Sequence, residues 1–257
     1  GDLRWKAPED PESWKGVKVF DTYADAPCQW ENDMAADPWK TDFYYEELPT
    51  FSEDCLYLNI ATPSVKSGEN LPVYVWFHGG GLNHGFSYEV ECDPEALAEK
   101  GAVVVEVGTR LGVFGYMSLP QLDEETDYGA SGNYGLLDQV AALKWIQENI
   151  EAFGGNPDIV TIFGQSAGAG NVHAHCVSPL TKGLFRRAIS ISGSGVVSLM
   201  RAGTLRDEEQ KGLAFQKTCS CNSLKELRDL PEAMVLAYMA QSRINCTFCI
   251  DNYYLLE

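Results

Sequence analysis

One stretch of the sequence carries residues suited to acyl transfer. The β-branched run Ile159-Val160-Thr161-Ile162-Phe163 predicts a buried strand, which leads directly into Gly164-Gln165-Ser166-Ala167-Gly168. A G-x-S-x-G spacing between strand and helix is typical of a nucleophile elbow, a sharp turn that exposes a serine hydroxyl. Glycines on either side allow the strand and the helix to approach closely. We therefore predict Ser166 as a catalytic nucleophile, the alternative being an ordinary Gly/Ser-rich turn.

A second motif, His78-Gly79-Gly80-Gly81, follows an apolar strand predicted over 71–77. Consecutive glycines let backbone N–H groups approach a ligand oxygen without interference from Cβ atoms. Two such N–H groups, with one just after the nucleophile, can stabilise the negative oxygen of a tetrahedral intermediate. A triple glycine alone is more often a flexible turn, but upstream of an elbow it favours an oxyanion hole. We predict that Gly80, Gly81 and Ala167 form it.

Strands and helices alternate around these two motifs, which predicts an α/β fold with a mostly parallel sheet. We expect strands at 54–60, 71–77, 102–107, 159–163 and 187–192, with helices at about 93–100, 135–154 and 167–178. Between them, the polar segment 108–133 is predicted to be a surface loop with short turns. Further helices at 204–218, 223–230 and 232–242 indicate a cap. The core sheet would span about 55–194, and the helical cap-like segment about 195–257.

Composition excludes several classes of partner. The chain has a formal net charge of -18, so we expect neither nucleic acid nor an anionic membrane surface to bind it. Apolar residues make up 45% of the sequence without a run long enough for a transmembrane helix. Four cysteines, Cys219, Cys221, Cys246 and Cys249, could be written as a zinc site, but their spacing is irregular for zinc and favours free thiols or local disulfides. We therefore expect no metal and no cofactor.

Several other segments complete a recognisable pattern: Gly1-Asp2-Leu3-Arg4-Trp5, Ser52-Glu53-Asp54-Cys55-Leu56-Tyr57-Leu58-Asn59, Arg110-Leu111-Gly112-Val113-Phe114-Gly115, Gly132-Asn133-Tyr134-Gly135-Leu136-Leu137-Asp138-Gln139, Phe153-Gly154-Gly155-Asn156-Pro157 and Ser192-Gly193-Ser194. With the two glycine motifs, they resemble the type-B carboxylesterases, the cholinesterase-like branch of the α/β hydrolases. The resemblance runs over nearly the whole chain. It implies an α/β-hydrolase fold with helices flanking the central sheet and a helical C-terminal segment.

The resemblance also implies roles for individual residues. Ser166 would attack a small-molecule ester, and the N–H groups of Gly80, Gly81 and Ala167 would hold the oxyanion. Cys28 and Cys55 match an early disulfide of the family, and this match slightly favours an extracellular or secreted location. The loop that this disulfide would close is aromatic, so it would line an active-site gorge or serve ordinary packing; its aromatic residues are Trp30, Trp39, Phe43, Tyr44, Tyr45 and Phe51.

The general base that an elbow serine needs is missing from the pattern. His173 and His175 lie seven and nine residues beyond Ser166 on the same predicted helix, roughly 10 Å or more away at 1.5 Å per residue. His84 is a stray candidate near the glycines, and His78 is expected to position the glycine run. The resemblance places the acid and the histidine further along the chain. We therefore expect an N-terminal part of a hydrolase, incomplete at both ends and inactive alone.

Gln165 stands where many family members have glutamate, which removes a negative charge beside the nucleophile and predicts a changed pH dependence.

The alternative to an esterase is a non-catalytic cholinesterase-like binding or adhesion module. Such relatives commonly lose the nucleophile, whereas this chain keeps Ser166 and the glycine run.

Overall fold

A mixed sheet of five strands lies at the centre of the computed structural model, which describes residues 2–29, 48–64, 66–193 and 202–257. Its strands, in order across the sheet, are β3 (Leu58–Ala61), β5 (Val103–Val107), β4 (Leu71–Phe77), β6 (Gly155–Gln165) and β7 (Arg187–Ile191). β3 is antiparallel to β5, and the other neighbours in this sheet pair in parallel. The strands in chain order are β1 (Ala26–Pro27), β2 (Phe51–Ser52), β3 (Leu58–Ala61), β4 (Leu71–Phe77), β5 (Val103–Val107), β6 (Gly155–Gln165), β7 (Arg187–Ile191), β8 (Gly203–Thr204) and β9 (Cys249–Ile250).

The central strands are apolar on both faces because helices and loops cover them. Val75 in β4, Val105 in β5 and Ile162 in β6 are fully buried and pack together with Leu143 and Ile146 of the long helix. Near-continuous β-branched runs of this kind are typical of parallel strands that are buried on both sides. The predicted strands over 71–77, 102–107 and 187–192 are confirmed, and the strand before Ser166 is longer than predicted because it begins at Gly155.

Three parallel strands end at the same edge of the sheet. Phe77 at the end of β4 pairs with Gly164 in β6, and Gln165 at the end of β6 pairs with Ile191 in β7. Ligands of open α/β sheets bind outside the carboxyl ends of the strands. The glycine run, the turn at Ser166 and Gly193 each follow one of these three ends, so the topology gathers them at one edge.

The helices follow the predicted signals closely. Asp93 caps the first helix by accepting a hydrogen bond from the Ala96 N–H (2.9 Å), and Pro94 occupies its first turn. The long helix Tyr134–Asn149 continues as the 3-10 turn Ile150–Phe153, which ends at Gly154. The helices are Pro94–Ala98, Gly112–Tyr116, Pro120–Asp123, Tyr134–Asn149, Ala167–Val177, Leu205–Thr218, Leu224–Arg228 and Glu232–Ser242, with a second 3-10 turn at Pro179–Thr181.

The prediction of a polar surface loop over 108–133 is wrong. This segment forms the short helices Gly112–Tyr116 and Pro120–Asp123, and it buries Phe114, Met117 and Leu119 in a core shared with the C-terminal helices. Its glycines and acidic residues suggested an exposed loop, but the C-terminal helices pack over its apolar residues and bury them.

The C-terminal helices pack on the rest of the chain through charged contacts as well as apolar ones. Arg4 pairs with Glu53 and also donates to the carbonyl oxygens of Leu227 (3.2 Å) and Leu230 (2.8 Å). A cation near free carbonyls at the end of a helix is favourable. The short parallel pair β8 and β9, which the sequence did not predict, closes this region. The division into a core sheet and a cap-like segment stays a prediction, and residues 194–201 at its boundary lie outside the described residues.

One buried acid stands out in the central sheet. Glu106 in β5 is fully buried, and its Oε2 accepts a hydrogen bond from Asn59 Nδ2 (3.3 Å) on the neighbouring strand β3. Its Oε1 has no partner among the described residues. Burial raises the pKa of Glu106 to about 8 from an ordinary value of 4.5, so the folded state favours the protonated acid.

This raised pKa predicts how stability varies with pH. Between pH 4.5 and 8 the unfolded chain releases the Glu106 proton while the folded chain keeps it, so stability falls as pH rises, by at most about 1.4 kcal/mol per pH unit. A Glu106→Gln variant removes this proton linkage. We measure the free energy of unfolding by urea denaturation. The value for the variant minus the value for the wild type should rise steadily from pH 5 to pH 8. The exposed Glu151→Gln serves as control. A difference between Glu106→Gln and wild type that does not change with pH would contradict the assignment.

Candidate active site

The turn at Ser166 has an unusual backbone conformation. Ser166 has φ 52 and ψ −114, between the end of β6 and the helix Ala167–Val177. A positive φ is strained for a residue with a side chain, and such strain concentrates at functional sites. The Ser166 N–H donates to the carbonyl oxygen of Ile191 in β7 (2.9 Å), which ties the turn to the neighbouring strand. The Ser166 side chain is half-buried, at the edge where the strands end.

The glycines on either side of Ser166 pack directly against backbone. A Cβ atom on Gly168 would lie 2.0 Å from the Phe77 carbonyl oxygen, and one on Gly164 would lie 2.7 Å from that same oxygen and 2.6 Å from the Gly168 carbonyl oxygen. Neither position has room for a side chain. Strand β4, strand β6 and the helix after Ser166 therefore meet backbone to backbone.

The residues after β4 form a loop beside Ser166, which we call the glycine loop (residues 79–85). A Cβ atom on Gly79 would lie 3.5 Å from Ser166 Cβ and 2.7 Å from Gln165 Oε1. Gly80 and Gly81 have φ values of 94 and 63, which glycine adopts without strain. The structure thus brings together the two motifs that the sequence analysis singled out.

Hydrogen bonds within the protein engage the carbonyl groups of the glycine loop. The Gly80 oxygen accepts from the N–H of Asn83 (3.1 Å), and the Gly81 oxygen accepts from Asn83 Nδ2 (2.8 Å). The Leu82 oxygen accepts from the N–H of Gly112 (2.6 Å). These bonds fix the orientation of the peptide groups, because a peptide unit whose carbonyl is held can no longer rotate freely.

The N–H groups of the predicted oxyanion residues differ from these carbonyl groups in their hydrogen bonding. Within the described ranges, no protein acceptor takes a hydrogen bond from the N–H of Gly80, Gly81 or Ala167. Ala167 is the first residue of its helix, where N–H groups have no partner inside the helix. Donors without protein acceptors, beside a half-buried serine, suit an anionic or carbonyl oxygen. The role of these three residues stays a prediction.

His78 lies under the glycine loop. Its side chain is buried, and its Nδ1 is 2.9 Å from the carbonyl oxygen of Gly79, so the ring carries its proton on Nδ1. Burial lowers the pKa of His78 to about 4, which keeps the ring neutral at physiological pH. A Cβ atom on Gly85 would lie 2.6 Å from that same Nδ1. His78 therefore packs between the two ends of the loop, and its role in positioning the glycines stays a prediction.

His175 is fixed elsewhere by hydrogen bonds on both ring nitrogens. Its Nε2 lies 2.7 Å from Gln139 Oε1, and its Nδ1 lies 2.7 Å from the Tyr254 hydroxyl. Since the amide oxygen can only accept, Nε2 carries the proton and Nδ1 accepts from tyrosine. Burial lowers the pKa of His175 to about 3. His175 thus packs between the long helix and the C-terminal segment, and His173 is half-buried on the same helix.

No side chain among the described residues forms a hydrogen bond with the Ser166 hydroxyl. His84, the stray candidate for a base, instead lines a cavity of about 170 Å³ together with Leu111, Phe114, Leu236 and Met239. The described part of the chain therefore provides the predicted nucleophile and N–H donors without a base in contact with the serine.

The predicted disulfide between Cys28 and Cys55 is wrong for this structure. Both thiols are buried and free, and no two cysteines of the described residues lie at disulfide distance. Cys28 instead donates to Glu232 Oε2 (3.5 Å), and burial together with this carboxylate raises its pKa. Burial also raises the pKa of Cys55 to about 12, which disfavours the thiolate needed for oxidation. The extracellular location loses this support and stays a prediction.

The structure also describes the four cysteines near the C-terminus and part of the aromatic loop. Cys219, Cys221, Cys246 and Cys249 are free thiols, so the local disulfides are not formed. The described ranges hold no group of three or more His, Cys, Asp or Glu side chains placed to bind a metal, and no helix there is long and apolar enough to cross a membrane.

Most of the predicted gorge wall lies outside the described residues, namely Trp30, Trp39, Phe43, Tyr44 and Tyr45. Phe51 is half-buried in β2.

Sequence patterns do not identify the residues that hold the far end of the glycine loop. Gln29 forms two hydrogen bonds with the backbone of Gly85, which lies 56 positions further along the chain. No local pattern predicts this contact. The one signal in the sequence is Gly85 itself, a further glycine soon after the glycine run; in the structure it has φ 106, which glycine adopts without strain.

The backbone contact at Gly168 predicts a specific effect on stability. In Gly168→Ala the new methyl group must displace the Phe77 carbonyl, so we expect a loss of about 2–3 kcal/mol in the free energy of unfolding. Gly68→Ala is the control for a glycine without a close neighbour: Gly68 has φ +87, which is unfavourable for alanine, but open space around it, so about 1 kcal/mol is expected. Equal losses in urea denaturation of the two variants would show that the close approach is unimportant.

Comparison with known proteins places this geometry in a family. The model of the carboxylesterase family matches residues 1–247. The chain is 46% identical over 195 residues to the para-nitrobenzyl esterase of Bacillus subtilis (strain 168), covering 76% of this chain and 37% of that protein. It is 40% identical over 252 residues to the juvenile hormone esterase of Tribolium castaneum, covering 95% of this chain and 40% of that protein.

A solved structure of a PNB esterase matches the fold over the whole chain. Its TM-score is 0.87 at 37% sequence identity, and the match covers 100% of this chain and 52% of that one. The predicted α/β-hydrolase fold is confirmed. The chain spans about two-fifths of the length of the curated relatives named above. On the match to the family model, the chain belongs to the carboxylesterase family.

Proposed function

We propose that Ser166 is the nucleophile of a serine carboxylic-ester hydrolase that acts through an acyl-enzyme on small-molecule esters. One observation carries this proposal: a serine at positive φ lies beside a glycine loop in which the N–H groups of Gly80 and Gly81 have no protein acceptor in the described ranges. The family match supports ester hydrolysis in general. The serine mechanism is our inference from the geometry.

The proposed reaction assigns a separate task to each group. The Ser166 Oγ attacks the ester carbonyl carbon and gives up its proton to a base, and the carbonyl oxygen becomes an oxyanion. The N–H groups of Gly80, Gly81 and Ala167 stabilise that oxyanion, and the N-terminus of the helix after Ser166 adds a favourable field. The alcohol then leaves with a proton, and water hydrolyses the acyl-enzyme to release the acid.

The base and the acid that orients it would come from sequence outside this chain. No described histidine forms a hydrogen bond with the Ser166 hydroxyl, and the matches cover only 37% and 40% of the two curated relatives named above. In this proposal the 257-residue chain carries the nucleophile and the oxyanion donors of a site that the remaining protein completes. The alternative, a binding or adhesion module without catalysis, gives no reason for a strained serine at this edge of the sheet.

Covalent labelling tests the nucleophile directly. We expect a fluorophosphonate probe to label the full-length protein on Ser166, because Ser166 Oγ can bond to phosphorus and displace fluoride while the same N–H donors hold the phosphonyl oxygen. Peptide mapping by mass spectrometry identifies the site. Ser166→Ala should abolish the label while leaving the unfolding transition intact. A folded wild-type protein that takes up no probe would favour the binding module.

Hydrolysis by the 257-residue chain alone tests the missing base. We expect turnover of a p-nitrophenyl acyl ester no faster than that of the Ser166→Ala variant, because an alcohol without a base is a weak nucleophile. The measurement is release of p-nitrophenol under saturating ester. Rapid hydrolysis that disappears in Ser166→Ala would show that a base lies within this chain.

A further inference from the structure

We propose that Gln29 is a positioning residue that holds the glycine loop in the geometry needed to stabilise the oxyanion. The inference rests on the proposed ester hydrolysis and adds a residue to it. Gln29 does not contact Ser166 in this proposal. It acts through the far end of the loop that carries the N–H donors of Gly80 and Gly81.

The side-chain amide of Gln29 forms a two-point contact with one residue of the loop. Its Nε2 donates to the Gly85 carbonyl oxygen (2.8 Å), and its Oε1 accepts from the Gly85 N–H (2.8 Å). The amide thereby satisfies both polar groups of that residue, as a neighbouring strand would. The Nε2 also donates to the Pro27 carbonyl oxygen (3.1 Å). Since Gln29 is only 6% exposed, water competes little for these bonds.

The position of Gly85 is transmitted to Gly80 through close backbone contacts within the loop. A Cβ atom on Gly80 would lie 1.9 Å from the His84 carbonyl oxygen, so the Gly80 backbone rests directly on the peptide that joins His84 to Gly85. In return, the Gly80 carbonyl accepts from the N–H groups of Asn83 and His84, at 3.1 Å each. A shift of Gly85 would therefore move the peptide groups of Gly80.

Gln29 itself stands on a fixed support. It follows β1, which pairs with β2, and the N–H of Cys28 donates to the Ser52 carbonyl oxygen (3.2 Å). The Cys28 thiol donates to Glu232 on a C-terminal helix. Two separate parts of the chain thus hold the residue next to Gln29, so the amide can act as a rigid clamp on the loop.

A clamp of this kind affects the transition state more than substrate binding. The oxyanion forms only during the reaction, and a displacement of donors by about 1 Å can cost up to about 100-fold in rate. Gln29→Met keeps the size of the side chain and removes both bonds to Gly85. In the full-length protein we expect kcat to fall by about 10- to 100-fold while KM changes by no more than about twofold.

A matched control separates positioning from general destabilisation. Gln147 is also an amide that bridges backbone groups, donating to the carbonyl oxygens of Pro157 (2.9 Å) and Leu184 (3.0 Å), but it lies on the long helix and forms no hydrogen bond with the described glycine loop. Gln147→Met should lower the urea midpoint of unfolding and leave kcat within about twofold of wild type.

A conservative variant provides a rescue that a packing role would not produce. In Gln29→Glu a protonated carboxyl group can donate to Gly85 oxygen and accept from its N–H, whereas the carboxylate can only accept. The ratio of the variant's kcat to that of the wild type should therefore rise as pH falls from 8 to 5. This variant also keeps the test open if Gln29→Met fails to fold.

The outcomes distinguish the inference from the proposed function. Suppose that the wild type is labelled at Ser166. If Gln29→Met then keeps the kcat of the wild type, or if Gln147→Met loses as much kcat as Gln29→Met, the positioning role is overturned and the proposed hydrolase stands. A kcat ratio for Gln29→Glu that is independent of pH also overturns it. If the wild type neither labels nor hydrolyses esters, the proposed function fails, and the role of Gln29 fails with it.

Discussion

The close contact between the Phe77 carbonyl and the Gly168 backbone is the constraint on which the rest of the site depends. It fixes the distance between the end of β4 and the helix after Ser166, because no side chain fits between them. The turn at Ser166 must then reverse sharply, and the serine takes a positive φ. The glycine loop, which starts two residues after Phe77, is brought beside Ser166 by the same contact. This close contact between two backbone segments thus positions both the turn at Ser166 and the glycine loop.

The hydrogen bonds of the glycine loop explain why N–H groups, and not carbonyls, are available there. Carbonyl groups between Gly79 and Leu82 accept bonds from His78, Asn83 and Gly112. A site for a negative oxygen needs donors and must keep acceptors away, since an unpaired carbonyl would repel the developing charge. The electrostatics follow from this backbone bonding and require no cationic side chain, which is consistent with a chain of net charge -18.

The sequence predicted what depends on local signals and periodicity. The strands before Gly79 and Ser166, the Asp93 cap and the long helix were all accessible, because a strand end, a cap or an apolar stripe is defined by neighbouring residues. The segment 108–133 was mispredicted because its burial depends on the C-terminal helices, which pack over it. Gln29 and the free thiols of Cys28 and Cys55 depend on contacts between distant positions. Such contacts have no local sequence signal.

The most direct test of this account is a crystal structure of the full-length protein after reaction with a fluorophosphonate. The account predicts a covalent bond from Ser166 Oγ to phosphorus, with the phosphonyl oxygen about 3 Å from the backbone nitrogens of Gly80, Gly81 and Ala167. A phosphonyl oxygen directed to solvent or to other donors, or an adduct on another residue, would contradict the assignment of this edge of the sheet as the catalytic site.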